Sequence, residues 1–137
     1  MSVVVDASVV IKWFIPEVGS DAASRLLASE DRLEAPDLLF AEITNAIWKK
    51  VLRGQLTPDE SRLLAGDIEN IAVGTTPCRV LAADAHAIAL ATSRSVYDSM
   101  YLALALRLET RLITADERFF HALQSFPDLA GSIELLA

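Results

Sequence analysis

The segment from Ser95 to Phe119 admits few folds. Leucines fall at alternate positions from Leu102 to Leu108, which taken alone suggests a strand. The residues between them are mostly alanine, so nearly every face is apolar, and Ala and Leu are strong helix formers. The run therefore reads as one buried helix. Ser95 with Asp98 three residues later gives it a start signal resembling a capping box. Thr110 breaks the helix, and Leu112-Ile113 makes a short strand that ends at Thr114-Ala115-Asp116. A buried helix thus feeds a buried strand, and Asp98 and Asp116 mark boundaries of these elements. Parallel α/β sheets place their sites at such boundaries.

The remainder of the chain repeats this alternation. Val3-Val4-Val5 is a β-branched run suited to a strand buried on both faces, and Asp6 follows it at a strand-to-helix junction. Considered alone, Asp6 reads as an N-cap. Pro16 stops the first helix, Gly19-Ser20 opens a second, and Leu33 to Ala35 is expected to be a strand. Pro36-Asp37 begins a helix over residues 38–53 that Gly54 terminates. Glu42 lies at the margin of that helix's apolar stripe and reads by position as a surface glutamate, with Asn45 placed to hold its carboxylate. Lys49, Lys50 and Arg53 suit the helix C-terminus electrostatically. Thr57, Pro58 and Glu60 form a strong helix start. Ile71-Ala72-Val73 is expected to be a strand, Pro77-Cys78 to open an alanine-rich helix, and Phe126-Pro127-Asp128 to be a turn before a last strand near Ile133. The pattern predicts a single α/β domain over residues 1–137, with a mostly parallel central sheet and helices on both faces.

Composition narrows the chemistry. The 137 residues are 53% hydrophobic, enough for one core, and no apolar run suits a membrane span. The N-terminus starts a strand without a basic region, so no signal peptide is expected and the expected location is cytoplasmic. Cys78 is the only cysteine, which rules out an internal disulfide and a multi-cysteine zinc site. The net charge of −7 does not favour bulk attraction to nucleic acid, so a phosphate ligand needs local cations or metal. No phosphate-binding glycine loop, zinc-protease motif or nucleophile elbow occurs. His86 and His121 lack spaced partners, Ser8 and Ser99 lack an obvious base, and Trp13 and Trp48 are expected in the core.

What remains is an acidic set: Asp6, Glu42, Asp98 and Asp116. In a parallel sheet Asp6 and Asp116 emerge at the same edge. Two carboxylates about 4 Å apart repel by roughly 4 kcal/mol at an effective dielectric of about 20. Such a cluster raises a pKa or recruits a cation, and oxygen-only ligands suit Mg²⁺ or Mn²⁺.

Four segments carry a family resemblance: Val5-Asp6-Ala7-Ser8-Val9, Pro36-Asp37 through Glu42-Ile43-Thr44-Asn45, Tyr97-Asp98-Ser99-Met100-Tyr101, and Thr114-Ala115-Asp116-Glu117-Arg118-Phe119. In this order they resemble the motifs of PIN domains, and in particular the VapC-type toxins of type II toxin–antitoxin pairs. The resemblance implies a PIN-like three-layer α/β/α fold with about five strands, and a Mg²⁺- or Mn²⁺-dependent endoribonuclease. It implies Asp6, Asp98 and Asp116 as metal ligands, Glu42 as a residue that binds a second ion or orients the water, and Thr114, Asn45 and Ser8 as supporting residues. It also implies an RNA substrate, a cognate VapB-type antitoxin and a homodimer. Lys12, Lys49, Arg94 and Arg118 are candidates for local phosphate contact, and each also reads as a solvated surface charge. Three other readings compete. A haloacid-dehalogenase-like phosphatase wants an Asp where Ser8 stands, and a receiver-like module wants a Lys that the strand at Leu112 lacks. A degenerate, non-catalytic metal-binding interaction module is the third.

Overall fold

The computed structural model describes residues 1–137. Five strands, β1 (Ser2–Val5), β2 (Arg32–Pro36), β3 (Gly74–Thr76), β4 (Leu112–Thr114) and β5 (Ile133–Leu135), form one sheet in the order β3-β2-β1-β4-β5. Every adjacent pair is parallel. The helices are α1 (Ala7–Phe14), α2 (Ser20–Ala28), α3 (Leu38–Leu52), α4 (Pro58–Asp67), α5 (Cys78–Thr92), α6 (Val96–Arg107), α7 (Glu117–Leu123) and α8 (Pro127–Ala130). Right-handed crossovers place α1 to α4 on one face of the sheet and α5 to α7 on the other.

The strand order reverses between β1 and β4. From β1 the chain winds outward to β2 and β3, then returns across the sheet to β4 and continues to β5. This switch point opens a crevice at the carboxyl ends of β1 and β4. Val3, Val4 and Val5 are fully buried beneath it, as is Leu112 beside them. The Ala/Leu run of α6 is buried from Ser99 to Ala105 and packs on β1, β2 and β4. Thr110 Oγ1 donates to Ser2 O at 2.7 Å, tying the end of that helix to the start of β1.

Three boundaries differ from the sequence expectation. The third strand is not Ile71-Ala72-Val73 but Gly74–Thr76. Residues Ile68–Asn70 form a 3₁₀ turn, and the half-buried Ile71 and Val73 anchor the loop that follows. Register with β2 decides the matter: Gly74 lies opposite Glu34, and a Cβ there would meet Glu34 Oε2 at 2.5 Å. Apolar β-branched residues suggested the earlier segment, but this edge strand needs close backbone approach. Pro127 starts a short helix rather than a turn. Pro36 ends β2, and Asp37 does not cap its own helix; its Oδ1 accepts from Cys78 N at 3.0 Å, at the start of α5.

Candidate active site

Asp6 uses its two oxygens differently. Oδ1 caps α1, accepting from Ser8 N at 3.1 Å, from Val9 N at 3.3 Å and from the Ser8 hydroxyl. Oδ2 turns across the switch point and accepts from Thr114 Oγ1 of β4. The N-cap reading of this residue therefore accounts for one oxygen only. Ser8 Oγ accepts from Ala115 N at 2.9 Å, and Thr114 Oγ1 accepts from Asp116 N at 3.1 Å. The two hydroxyls stand 3.3 Å apart. Together they join the ends of β1 and β4 and fix Asp6 between them.

Asp116 is the N-cap of α7, with Oδ1 accepting from Phe119 N at 3.1 Å. Asp98 lies in the first turn of α6, where its N–H donates to Ser95 Oγ at 3.1 Å. Its carboxylate does not return to Ser95 as a capping box requires. Oδ2 accepts instead from Arg94 Nη2 at 2.8 Å. The Arg94 guanidinium also lies 5.0 Å from the Phe119 ring centroid, a cation–π distance. Arg94, a candidate for phosphate contact or a solvated surface charge by sequence, is held as the partner of Asp98.

Glu42 projects from α3 toward α6, and Tyr101 Oη donates to Glu42 Oε1 at 2.6 Å. It is half-buried, not a surface glutamate. Asn45, expected to hold this carboxylate, is exposed and faces a separate shallow groove with Phe40 and Trp48. Trp48 is 55% exposed and so lies outside the core. Tyr101 is the residue that sequence reasoning passed over. The signal was present: it sits three residues after Asp98, hence on the same helical face, and a buried phenol needs a partner.

Asp98 is the electrostatic hub. Burial pushes Asp6 up to about 6, against hydrogen bonds from Ser8, Thr114 and Val9, and the Asp98 charge adds to the rise. Burial also raises Glu42, opposed by the Tyr101 hydrogen bond and reinforced by Asp98. Asp98 itself is raised by burial, opposed by the Arg94 charge and hydrogen bond and reinforced by Asp116. Asp6, Glu42 and Asp116 are thus each within electrostatic reach of Asp98. No three of the four acids stand close enough in this arrangement to share one ion. The donor set is nonetheless all oxygen, from carboxylates whose charge is uncomfortable, and that chemistry fits a hard divalent cation.

These shifts fix the sign of a pH dependence. Asp6 binds its proton more tightly folded than unfolded, so its contribution to stability is fully present below about pH 4 and is lost as pH rises through about 6. A rise from 3.8 to about 6 corresponds to about 3 kcal/mol. Urea denaturation of the metal-free protein is expected to show stability falling between pH 4 and pH 7, the opposite of ordinary acid denaturation. Stability rising across that interval would mean Asp6 is ionised without penalty.

Of the remaining cations, Lys12 Nζ donates to Glu17 Oε1 at 3.0 Å and to Val18 O at 2.7 Å. Lys49 and Arg118 are exposed, Lys49 on α3 and Arg118 on α7. No helix is long and apolar enough to cross a membrane.

A parallel sheet with acids gathered at its switch point defines a class. The PIN domain family model matches residues 3–123, and the chain belongs to that family. Within it, the chain is similar to Ribonuclease VapC3 of Pyrobaculum aerophilum, at 32% identity over 131 residues, 94% of this chain and 98% of the relative. It is 28% identical to Ribonuclease VapC1 of Mycobacterium tuberculosis, over 97% of this chain and 96% of that one. Among solved structures, the fold is similar to that of Mycobacterium tuberculosis VapC20, a sarcin–ricin loop cleaving toxin. The TM-score is 0.69 at 15% identity, over 88% of this chain and 94% of that one. The three-layer architecture expected from the motifs is the one observed, and all five strands are parallel.

Proposed function

We propose that this chain is an endoribonuclease dependent on Mg²⁺ or Mn²⁺, acting as the toxin of a VapBC-type toxin–antitoxin pair. The observation that carries the reading is Asp6 and Asp116 just beyond the carboxyl ends of β1 and β4, with Glu42 and Asp98 beside them and Asp98 in repulsive contact with the other three charges. The similarity to proteins named ribonuclease VapC supports the substrate class. VapBC2 of Rickettsia felis, a similar fold at a TM-score of 0.66 and 13% identity, supports an antitoxin as partner. A cytoplasmic homodimer completes the proposal.

A divalent ion, when bound, supplies positive charge to the scissile phosphate and lowers the pKa of water. Asp6, Asp98 and Asp116 are the residues that would hold it, on a closer approach of their carboxylates than this arrangement has. Ser8 and Thr114 fix Asp6 and leave it little freedom to swing away. Glu42, oriented by Tyr101, accepts the proton of the attacking water, and its raised pKa suits that task. Arg94 holds Asp98 before the cation arrives.

The test uses one protein preparation and two readouts. With Mn²⁺ present, the purified chain is expected to cleave structured RNA and to melt at a higher temperature. EDTA removes both effects, and Asp98→Asn removes the thermal response. A protein that neither cleaves RNA nor gains stability from Mg²⁺ or Mn²⁺ would instead be the degenerate interaction module, with Arg94 as its permanent counter-ion.

A further inference from the structure

The chain has three lysines, Lys12, Lys49 and Lys50, and all of them line one cleft. Arg53 joins them. The cleft has a volume of about 640 Å³, and its lining also includes Ser8 and Asp116 of the acidic site. In a protein of net charge −7, this concentration of cations beside the carboxylates is not explained by helix-terminus electrostatics. Such an explanation fits each lysine on its own helix, Lys12 in the last turn of α1 and Lys49 and Lys50 in the last turn of α3, but it does not require the two helix ends to turn their cations into one space.

The geometry of α3 makes the cleft a continuation of the site. Glu42, Ala46, Lys49, Lys50 and Arg53 recur at spacings of three and four, so they lie on one helical face. From Glu42 to Arg53 is about 16 Å along the axis at a rise of about 1.5 Å per residue. A strand whose scissile phosphate sits at the acids therefore continues over several cationic side chains.

Two of these cations are already engaged. Glu17 accepts from Lys12 Nζ at 3.0 Å through one oxygen and from Lys50 Nζ at 3.4 Å through the other. The lysine side chains are only 12% and 18% exposed, and they hold a Glu17 side chain that stays partly open to solvent at 29%. Lys49 and Arg53 make no ion pair within the chain. A carboxylate bridging two ammoniums occupies the position that a phosphate oxygen fits by charge and hydrogen bonding.

We propose that the Lys12–Lys49–Lys50–Arg53 cleft binds the phosphodiester backbone of the RNA strand flanking the cut, and that Glu17 is an internal competitor for it. The proposal rests on the ribonuclease reading. Phosphate contacts position a strand without reading its sequence, so the cleft sets affinity and register.

The experiment measures binding of a fluorescent, 2′-O-methylated single-stranded oligonucleotide in EDTA, across a series of salt concentrations. No cleavage is needed. Each phosphate contact to a single strand contributes about 0.7 to the slope of log affinity against log salt. Lys49→Ala with Arg53→Ala is expected to lower that slope by about 1.4 and to weaken binding about tenfold, equally for oligonucleotides of different sequence. Glu17→Gln is expected to tighten binding. Arg79→Ala, on α5 and outside the cleft, is a control expected to change neither. Circular dichroism melts establish that the variants are folded. Parent protein that binds while remaining indifferent to the double substitution overturns the cleft and leaves the ribonuclease reading standing. A double variant that keeps its RNA affinity but loses affinity for a poly-glutamate peptide assigns the cleft to an acidic protein, also against the proposal. Parent protein that neither binds nor cleaves RNA overturns both.

Discussion

Asp6→Asn is expected to leave a folded protein whose RNA cleavage falls on the order of a thousandfold or more, and whose metal-free melting temperature rises. The two effects have one origin. Asp6 is 7% exposed and carries a charge that burial and Asp98 both oppose. Asparagine retains an oxygen to accept from Ser8 N and Val9 N. Its amide nitrogen then donates to Thr114 Oγ1, whose own proton turns to Ser8 Oγ, 3.3 Å away. Every bond is replaced and the charge is gone. At pH 7.5 the relief is about 3 kcal/mol, by the same reasoning as the pH dependence. For a domain of this size that is roughly 5–10 °C. The gain should vanish below pH 4, where aspartate is protonated in the folded and unfolded states alike. Asp116→Asn should likewise abolish cleavage and remain folded. Cleavage surviving either change would indicate another site or a contaminating nuclease, and a lower melting temperature for Asp6→Asn would show that the carboxylate stabilises the fold.

Thr114→Val is expected to act with the opposite sign on stability. The hydroxyl is fully buried, donates to Asp6 Oδ2 and accepts from Asp116 N at 3.1 Å. Valine matches its shape and removes both functions. An unpaired buried carboxylate oxygen and an unpaired amide together cost about 2–4 kcal/mol. Cleavage should fall as well, because Asp6 loses the contact that aims it at the switch point. A double-mutant cycle with Asp6→Asn separates this from lost packing. If the hydroxyl acts through the Asp6 charge, the combined destabilisation departs from the sum of the single effects by about 1 kcal/mol or more. Strict additivity would mean that Thr114 supports the strand and nothing else.

Much of this arrangement was legible in the sequence because it rests on short-range signals. Asp6 after three buried valines, Ser95 ahead of Asp98 and the Thr57–Glu60 capping box needed only local periodicity and capping chemistry, and the capping box forms in full. Longer-range pairings left weaker traces. Nothing in the run around Gly74 announces that Glu34 will lie against it, so the third strand was expected three residues early. Asn45 was expected to hold Glu42, because sequence proximity favours it. The tertiary packing of α3 against α6 brings the phenol instead. Arg94 was read as a solvent-facing cation, but the ring of Phe119 and the Asp98 carboxylate fold it inward. Lys50 and Arg53 looked like ordinary helix-terminal charges until α1 brought Lys12 beside them.

The bond from Thr114 to Asp6 spans 108 residues of chain. A ribosome translating this message therefore carries a chain with an incomplete site for most of synthesis. The nascent segment that holds Asp6, Glu42 and Asp98 lacks the strand that would lock them into cutting geometry. The site is completed only when the closing segment emerges and slots in beside β1.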